Sequence, residues 1–250
     1  MSSPQISCLC VTRNKKFQLE RVIRCFKAQT YSNKDLLILY EDNDPITEQV
    51  ISKIEDKSIS SIKIPSNPKL TLGQLRNISI QECKGDFFCQ WDDDDWYHRQ
   101  RLEYQMNSIL YSHKPASLLP YWIMFDAIDN QAYMSHMRLW EGSILCNKSL
   151  LKENLAYAHI IRGEDQFFVD KLIAKNLVFP LVMPQLYIYT YDGNNTWDRS
   201  HFEFLFKYSQ KLSDESSILL KHILEHKYNE QEGSDILSSV SFLESLRYVH

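Results

Sequence analysis

Hydrophobic positions in the first half of the chain fall into short continuous runs, separated by polar segments whose apolar residues recur at helical spacing. This pattern predicts strands and helices in alternation. Residues 5–12 read as a buried strand, followed by a polar turn at Arg13-Asn14-Lys15-Lys16. Leu19, Val22, Ile23 and Phe26 then recur at helical spacing, and the next apolar run, Leu36 to Tyr40, ends abruptly in Glu41-Asp42-Asn43-Asp44-Pro45. A strand, a helix and a strand in this order predict a right-handed parallel crossover. The pattern repeats with a helix over 46–56, a strand over 59–64, a helix over 70–83 and a strand over 86–91. Ligands of open parallel sheets collect at the carboxyl ends of the strands, and Thr12, Asp42 and Asp92 all fall at such ends.

From about residue 116 the pattern changes to strand-like aromatic runs at 117–125, 132–139 and 142–146, with no clear long helix between them. A helix is predicted over 164–175, where Phe168 with Leu172 and Val169 with Ile173 form i,i+4 pairs. Beyond Tyr187-Ile188-Tyr189 the segment 191–197 reads as a loop. Two helices follow, over 203–226 with a break around Ser213, and over 234–248. The apolar density of Phe202, Phe204, Leu205, Phe206 and Tyr208 predicts a tail docked on the domain, with peripheral membrane or partner contact as the other reading.

Composition narrows the classes. With 250 residues, 44% hydrophobic and 24% charged, the chain can bury one large core. A net charge of -4 and scattered Lys and Arg remove the electrostatic case for nucleic acid as a partner. The six cysteines form no CxxC pair and four sit in apolar stretches, as expected of a reducing cytoplasm. No stretch approaches about 18 uninterrupted apolar residues and no basic-then-apolar leader is present, so neither export nor membrane spanning is expected.

The strongest chemical signal is the run Asp92-Asp93-Asp94-Asp95, which closes the apolar segment Phe87 to Trp91. So much like charge at the end of a buried strand costs free energy unless a cation compensates it. Oxygen ligands favour Mg²⁺ or Mn²⁺ over zinc, and such a metal suggests a phosphate ligand. In an extended segment Asp92 and Asp94 share one face while Asp93 and Asp95 share the other, so one pair can serve one metal. The plain alternative is a solvated acidic turn. An EF-hand loop is disfavoured, because its spaced acids, central Gly and closing Glu are missing.

Taken together, these segments resemble a family 2 glycosyltransferase of the GT-A fold over roughly residues 4–205. The resemblance implies an α/β architecture, with a Rossmann-like mixed central sheet flanked by helices and a helical C-terminal tail. It places a catalytic domain over 1–205, with a donor half over about 1–115 and an acceptor half over about 116–205, and a helical extension over 206–250. Thr12-Arg13-Asn14 resembles the first turn of the family, which faces the nucleobase. Gln29-Thr30-Tyr31 and the strand into Glu41-Asp42 resemble the second strand. Its terminal acid contacts the nucleoside, with Asp42 favoured and Glu41 beside it. The small residues usual after that acid are here Asn43-Asp44-Pro45. Arg76, within Leu72-Gly73-Gln74-Leu75-Arg76-Asn77, could donate a planar fork to a base or phosphate.

Residues Gly85 to Trp96 are similar to the metal strand of the family. The resemblance implies that Asp92 and Asp93 serve the nucleotide, Asp92 at the ribose, that Asp94 ligates the metal, and that Asp95 supports the loop or the metal. Arg162-Gly163-Glu164-Asp165-Gln166 resembles the catalytic Glu-Asp motif, with Asp165 as general base and Glu164 beside it. Trp140-Glu141-Gly142-Ser143 resembles the segment leading to the acceptor side, where Trp140 stacks on a sugar and Glu141 contacts hydroxyls. Asn194-Asn195-Thr196-Trp197 with His201 resembles a late loop whose His completes the metal shell or contacts the diphosphate. Plainer roles exist beside these: helix capping for Glu164 and Asp165, a surface arginine for Arg76, and core or structural packing for Trp140 and His201.

The activity implied is inverting transfer of a sugar from a nucleoside diphosphate sugar, UDP-sugar favoured, to a saccharide or lipid-linked acceptor, with Mn²⁺ or Mg²⁺ as cofactor. Surface polysaccharide or lipopolysaccharide assembly is the context by analogy, in the cytoplasm or peripherally at the inner face of the membrane. A retaining enzyme on the same architecture would not need Asp165 as base. A nucleotidyltransferase usually wants a Gly-rich triphosphate loop, and the first turn here has no Gly. A non-catalytic binding module would hold the donor without transferring the sugar.

Overall fold

The computed structural model describes residues 3–153, 156–160 and 163–246, and the side chains at 140, 151–153, 164 and 165 lie outside that description. The first half alternates as expected: β1 (Ile6–Val11), α1 (Lys16–Lys27), β2 (Lys34–Glu41), α2 (Pro45–Ile51), β3 (Ile59–Ile64), α3 (Leu72–Glu82) and β4 (Phe87–Gln90). There follow β5 (Trp96–Tyr97), α4 (Arg101–Ser112), β6 (Ala116–Leu119), β7 (Ile123–Asp126), β8 (Gln131–Met134) and β9 (Trp140–Asn147). The chain continues through α5 (Glu164–Ala174), β10 (Val178–Pro180), β11 (Tyr187–Tyr191), α6 (Arg199–Lys207) and β12 (Gln210–Lys211). It closes with α7 (Asp214–Leu224), α8 (Glu230–Leu237) and α9 (Val240–Ser245).

A seven-stranded sheet runs β10-β6-β9-β4-β1-β2-β3. Strand β1 is parallel to both β2 and β4, with Cys8 opposite Leu36 and Cys89, whereas β9 is antiparallel to β4 and β6. The sheet is therefore mixed, as the resemblance implies. Because side chains alternate across a strand, its two faces build separate cores. Ile6, Cys8, Cys10, Leu36 and Ile38 pack with Leu19, Val22 and Phe26 of α1. Leu9, Leu37 and Phe88 pack with Ile80 of α3 and with Phe168, Val169 and Leu172 of α5. Burial on both faces explains why the central strands read as unbroken apolar runs.

Local caps set where the helices begin. Thr71 and Gln74 form a reciprocal capping box on α3, and Asp44 accepts from the Thr47 amide at 2.9 Å, with Pro45 opening α2. Asp44 also accepts from the Asn14 amide at 2.8 Å, tying together the loops after β1 and β2.

Four expectations change. Helix α4 falls in a segment to which the hydrophobic pattern assigned no element. The run 117–125 breaks at Pro120 into β6 and β7, which belong to different sheets. Strand β8 stops at Met134, short of residue 139. The tail is also less purely helical than its periodicity predicts, since β12 joins β8 in a second sheet of order β12-β8-β7-β11-β5, and the last helix divides into α8 and α9. Leu205, Leu212, Leu220, Ile223, Leu237 and Phe242 of the tail join the α1-side core. Among the described residues, no helix is long and apolar enough to cross a membrane.

Candidate active site

A cleft of about 970 Å³ opens at the carboxyl ends of β1, β2 and β4, where the crossover topology collects ligands. Its floor is the turn Asp92-Asp93-Asp94, and below that floor lies a cage of aromatic rings. Trp91 stacks on Tyr97 at 3.9 Å, and Trp122 stacks on Tyr187 at 4.2 Å. The fully buried Arg101 lies 4.7 Å from the Tyr97 ring centre and 5.0 Å from that of Tyr187, and donates to the Gln90 carbonyl at 3.2 Å. The Tyr97 hydroxyl donates to the Asp92 carbonyl at 3.0 Å, and Arg21 to that of Asp94. The acids thus sit on a backbone pinned from underneath.

The four aspartates divide by environment. Asp92, with 27% of its side chain exposed, accepts from Arg76 at 3.1 Å and from Gln90 at 2.7 Å. Asp93 and Asp94 both accept from the Lys15 ammonium, at 3.0 and 2.8 Å, and Asn195 donates to Asp94 at 3.0 Å. Burial, then the adjacent Asp94 charge, pushes the Asp93 carboxyl up to about 7 against the pull of Lys15. Asp95 is fully buried beneath the floor, accepting from the Tyr187 hydroxyl and from the Thr190 amide at 2.9 Å. Burial, reinforced by Asp94 and Asp92, holds its pKa well above the ordinary carboxylate value. The simple alternation expected of an extended strand does not hold, because β4 ends at Gln90 and a turn brings Asp93 and Asp94 onto one cation.

Other expected site residues can now be placed. Thr12, Arg13, Arg76, Glu141 and His201 line the cleft with Asp92, Asp93 and Asp94. Asp95 does not, and both of its carboxylate oxygens are engaged in the core. Asp42 lies outside the cleft lining: strand β2 extends through Glu41, and the exposed Asp42 accepts from the Ser66 amide at 3.0 Å. Glu41 takes its place on the cleft wall, paired with Arg13 at 3.1 Å. Asn14 likewise stays outside, with a φ of 56° that suits a turn residue, and the next residue, Lys15, enters the site instead. Lys15 and Asn195 are thus the site residues that sequence reasoning passed over. Lys15 stands in the polar turn after β1 and Asn195 in the late-loop segment, and their contacts with Asp94 span 79 and 101 residues.

Across the cleft, Gly163 caps α5 with a φ of 73°, and Gly163, Gln166 and Phe167 line the wall. The amino end of α5 therefore borders the same cleft as the acids. The side chains of Trp140, Glu164 and Asp165 lie outside the described residues. Arg138 joins this wall to β9, donating to Glu141 at 3.1 Å and to Gln166 at 2.8 Å. His201 stacks on Trp197 at 4.4 Å, with the rings 20° apart.

The donor set suits a hard divalent ion of limited protein coordination. Asp94 Oδ1 and Asp92 Oδ2 accept no hydrogen bond from the described residues, their partner oxygens taking all the contacts. Among those residues, no group of three or more His, Cys, Asp or Glu is arranged to hold a metal. An ion bound by one or two carboxylates and completed by water and substrate phosphate, as Mg²⁺ often is, matches this set better than a closed protein cage.

The model of the family described as "Glycosyl transferase family 2" matches residues 7–159, more than half of the chain. An uncharacterized glycosyltransferase of Haemophilus influenzae is 27% identical over 115 residues, 45% of each chain. The amylovoran biosynthesis glycosyltransferase AmsB of Erwinia amylovora is 28% identical over 88 residues, 34% of this chain and 29% of that one. The chain thus matches less than half the length of these relatives. Among solved structures, S. aureus TarS 1-349 in complex with UDP-GlcNAc superposes with a TM-score of 0.64 at 16% identity, covering 96% of this chain and 71% of that one. The mannosyltransferase PcManGT from Pyrobaculum calidifontis, in complex with GDP-Man and Mn²⁺, gives 0.57 at 12% identity, covering 98% and 73%. These two likenesses speak for the fold, and it is the family model, spanning β1 to β9, by which the chain belongs to glycosyl transferase family 2.

Proposed function

We propose that the protein is an inverting glycosyltransferase that moves a sugar from a nucleoside diphosphate sugar, UDP-sugar by preference, to the hydroxyl of a saccharide or lipid-linked acceptor. The observation that carries the reading is the acidic floor at the carboxyl ends of parallel strands, faced across one cleft by the amino end of α5. Thr12, Arg13 and Glu41 receive the base, Asp92 the ribose, and Arg76 a base or phosphate oxygen through its planar fork. Asp94 Oδ1, with Asp92 as second carboxylate and His201 on the wall, would hold Mn²⁺ or Mg²⁺. The ion, when bound, supplies Lewis-acid neutralisation of the leaving diphosphate.

Asp165, in the first turn of α5, takes the proton from the acceptor hydroxyl as that oxygen attacks the anomeric carbon. Glu164 beside it and Trp140 with Glu141 on the neighbouring strand position the acceptor. Similarity to AmsB, a glycosyltransferase of amylovoran biosynthesis, supports surface polysaccharide assembly as the setting. The apolar tail, docked in the core through its buried face, is where peripheral contact with a membrane would occur.

Thermal-shift screening of nucleoside diphosphates with and without Mn²⁺ tests the donor assignment. Stabilisation by one nucleotide only when metal is present is the expected result, and no response to any nucleotide under either condition refutes it. Proton NMR of the product tests inversion: retention of the donor's anomeric configuration would rule out Asp165 as the base of a direct displacement.

A further inference from the structure

Lys15 places a cation directly between two of the floor acids. Its ammonium lies 3.0 Å from Asp93 and 2.8 Å from Asp94, with only 20% of its side chain exposed. The contact is held from both ends. The Asn14 amide anchors the preceding residue on Asp44, and Asn195 clamps the same Asp94 oxygen from the loop after β11. Among the described residues, Arg76 pairs with Asp92 and Lys15 with Asp93 and Asp94.

A divalent ion arriving alone at Asp94 would meet an ammonium a few ångströms away, and like charges at that separation in a partly buried site repel strongly. An ion that arrives with a diphosphate brings the anionic oxygens onto which the ammonium can move. We propose that Lys15 acts as an internal counter-ion that excludes free metal from the acidic floor and makes metal binding conditional on the nucleotide. Lys15 is then a positioning residue for the donor, holding Asp93 and Asp94 together before the donor arrives and pairing with its diphosphate afterwards. This inference rests on the donor reading above.

The test is Mn²⁺ binding, followed by loss of the free-ion electron paramagnetic resonance signal, with and without UDP, on the full chain and on Lys15→Met and Lys15→Arg. The wild type and Lys15→Arg should bind Mn²⁺ weakly alone and more tightly with UDP. Lys15→Met should bind Mn²⁺ alone at least about tenfold more tightly than the wild type, because the repelling charge is gone. Melting temperature provides the second readout. Mn²⁺ without nucleotide should restore stability to Lys15→Met, whose Asp93 and Asp94 have lost their counter-ion, and should leave the wild type unchanged. A wild type that binds Mn²⁺ alone as tightly as Lys15→Met, or a Lys15→Met melting temperature that does not respond to Mn²⁺, overturns the counter-ion role. Failure of the wild type to bind any nucleoside diphosphate overturns the donor reading instead, so the two failures are distinguishable.

Discussion

Replacing Asp95 separates a structural pin from a metal ligand. Its side chain is fully buried and accepts from the Tyr187 hydroxyl and the Thr190 amide. Asp95→Ala would leave both donors buried without a partner, at about 1–3 kcal/mol each. The combined loss is about 2–6 kcal/mol, or roughly 10 °C in melting temperature for a chain of this size. Asp95→Asn keeps the shape and removes only a charge that burial and the neighbouring acids already disfavour. Its carbonyl can still accept from Thr190, and the Tyr187 hydroxyl can turn to accept from the amide, so the expected loss is within about 1 kcal/mol. Thermal and urea unfolding measure the first effect, and Mn²⁺-dependent nucleotide binding measures whether the site survives. An Asp95→Asn protein that keeps its melting temperature but loses metal-dependent nucleotide binding would refute the pin and make Asp95 a ligand. An Asp95→Ala protein as stable as the wild type would refute the packing argument.

Asp94→Asn should fold normally, since Lys15 keeps its contact with Asp93 at 3.0 Å, yet lose the Mn²⁺-dependent stabilisation by nucleotide in a thermal-shift assay. Asp165→Asn should retain donor binding and lose about 10²–10⁴-fold in transfer rate, read by nucleotide release. Gly85→Ala would drive a methyl to 2.6 Å from the Phe87 carbonyl and 2.7 Å from the Ser7 nitrogen, and should destabilise by about 3 kcal/mol or more in urea unfolding. Burial, together with the Arg99 charge and against the Ser234 carbonyl and Asp235, lowers the His98 pKa to about 4. The folded value lies below the unfolded one, so this stability is present above about pH 6.5 and is lost as pH falls toward 4, amounting to about 3 kcal/mol. His98→Gln should flatten that slope in unfolding curves measured from pH 7 to 4, and an unchanged slope would contradict the assignment.

The parts legible in the sequence are those whose physics is local. Strands β1, β2 and β4 are buried on both faces and read as apolar runs, and the acids stand out because they end one of them. Helix α4 escaped because its apolar positions, Leu102, Met106 and Ile109, are interleaved with Arg101 and Gln105, polar residues that are nonetheless fully buried. Their burial is compensated by contacts with Gln90, Ser117 and Ser143, which no local pattern encodes. The second sheet escaped because β7 and β8 are only four residues each, and the change of sheet at Pro120 depends on where β11 lies. At the site, exchanging Asp42 for Glu41 turns on one residue of strand length, and side-chain direction reverses with each residue. The contacts of Lys15 with Asp93 and Asp94 arise only when β1 and β4 are neighbours in the sheet.

The central claim is that the Asp94 carboxylate receives the donor diphosphate through a divalent ion inside the cleft. Anomalous diffraction from crystals grown with Mn²⁺ and UDP measures this directly. A manganese peak is expected at coordination distance from Asp94 Oδ1, with the uracil beside Glu41 and the Lys15 ammonium moved onto the diphosphate. A nucleotide bound in the cleft with no peak at Asp94, and with Lys15 still bridging Asp93 and Asp94, would contradict it.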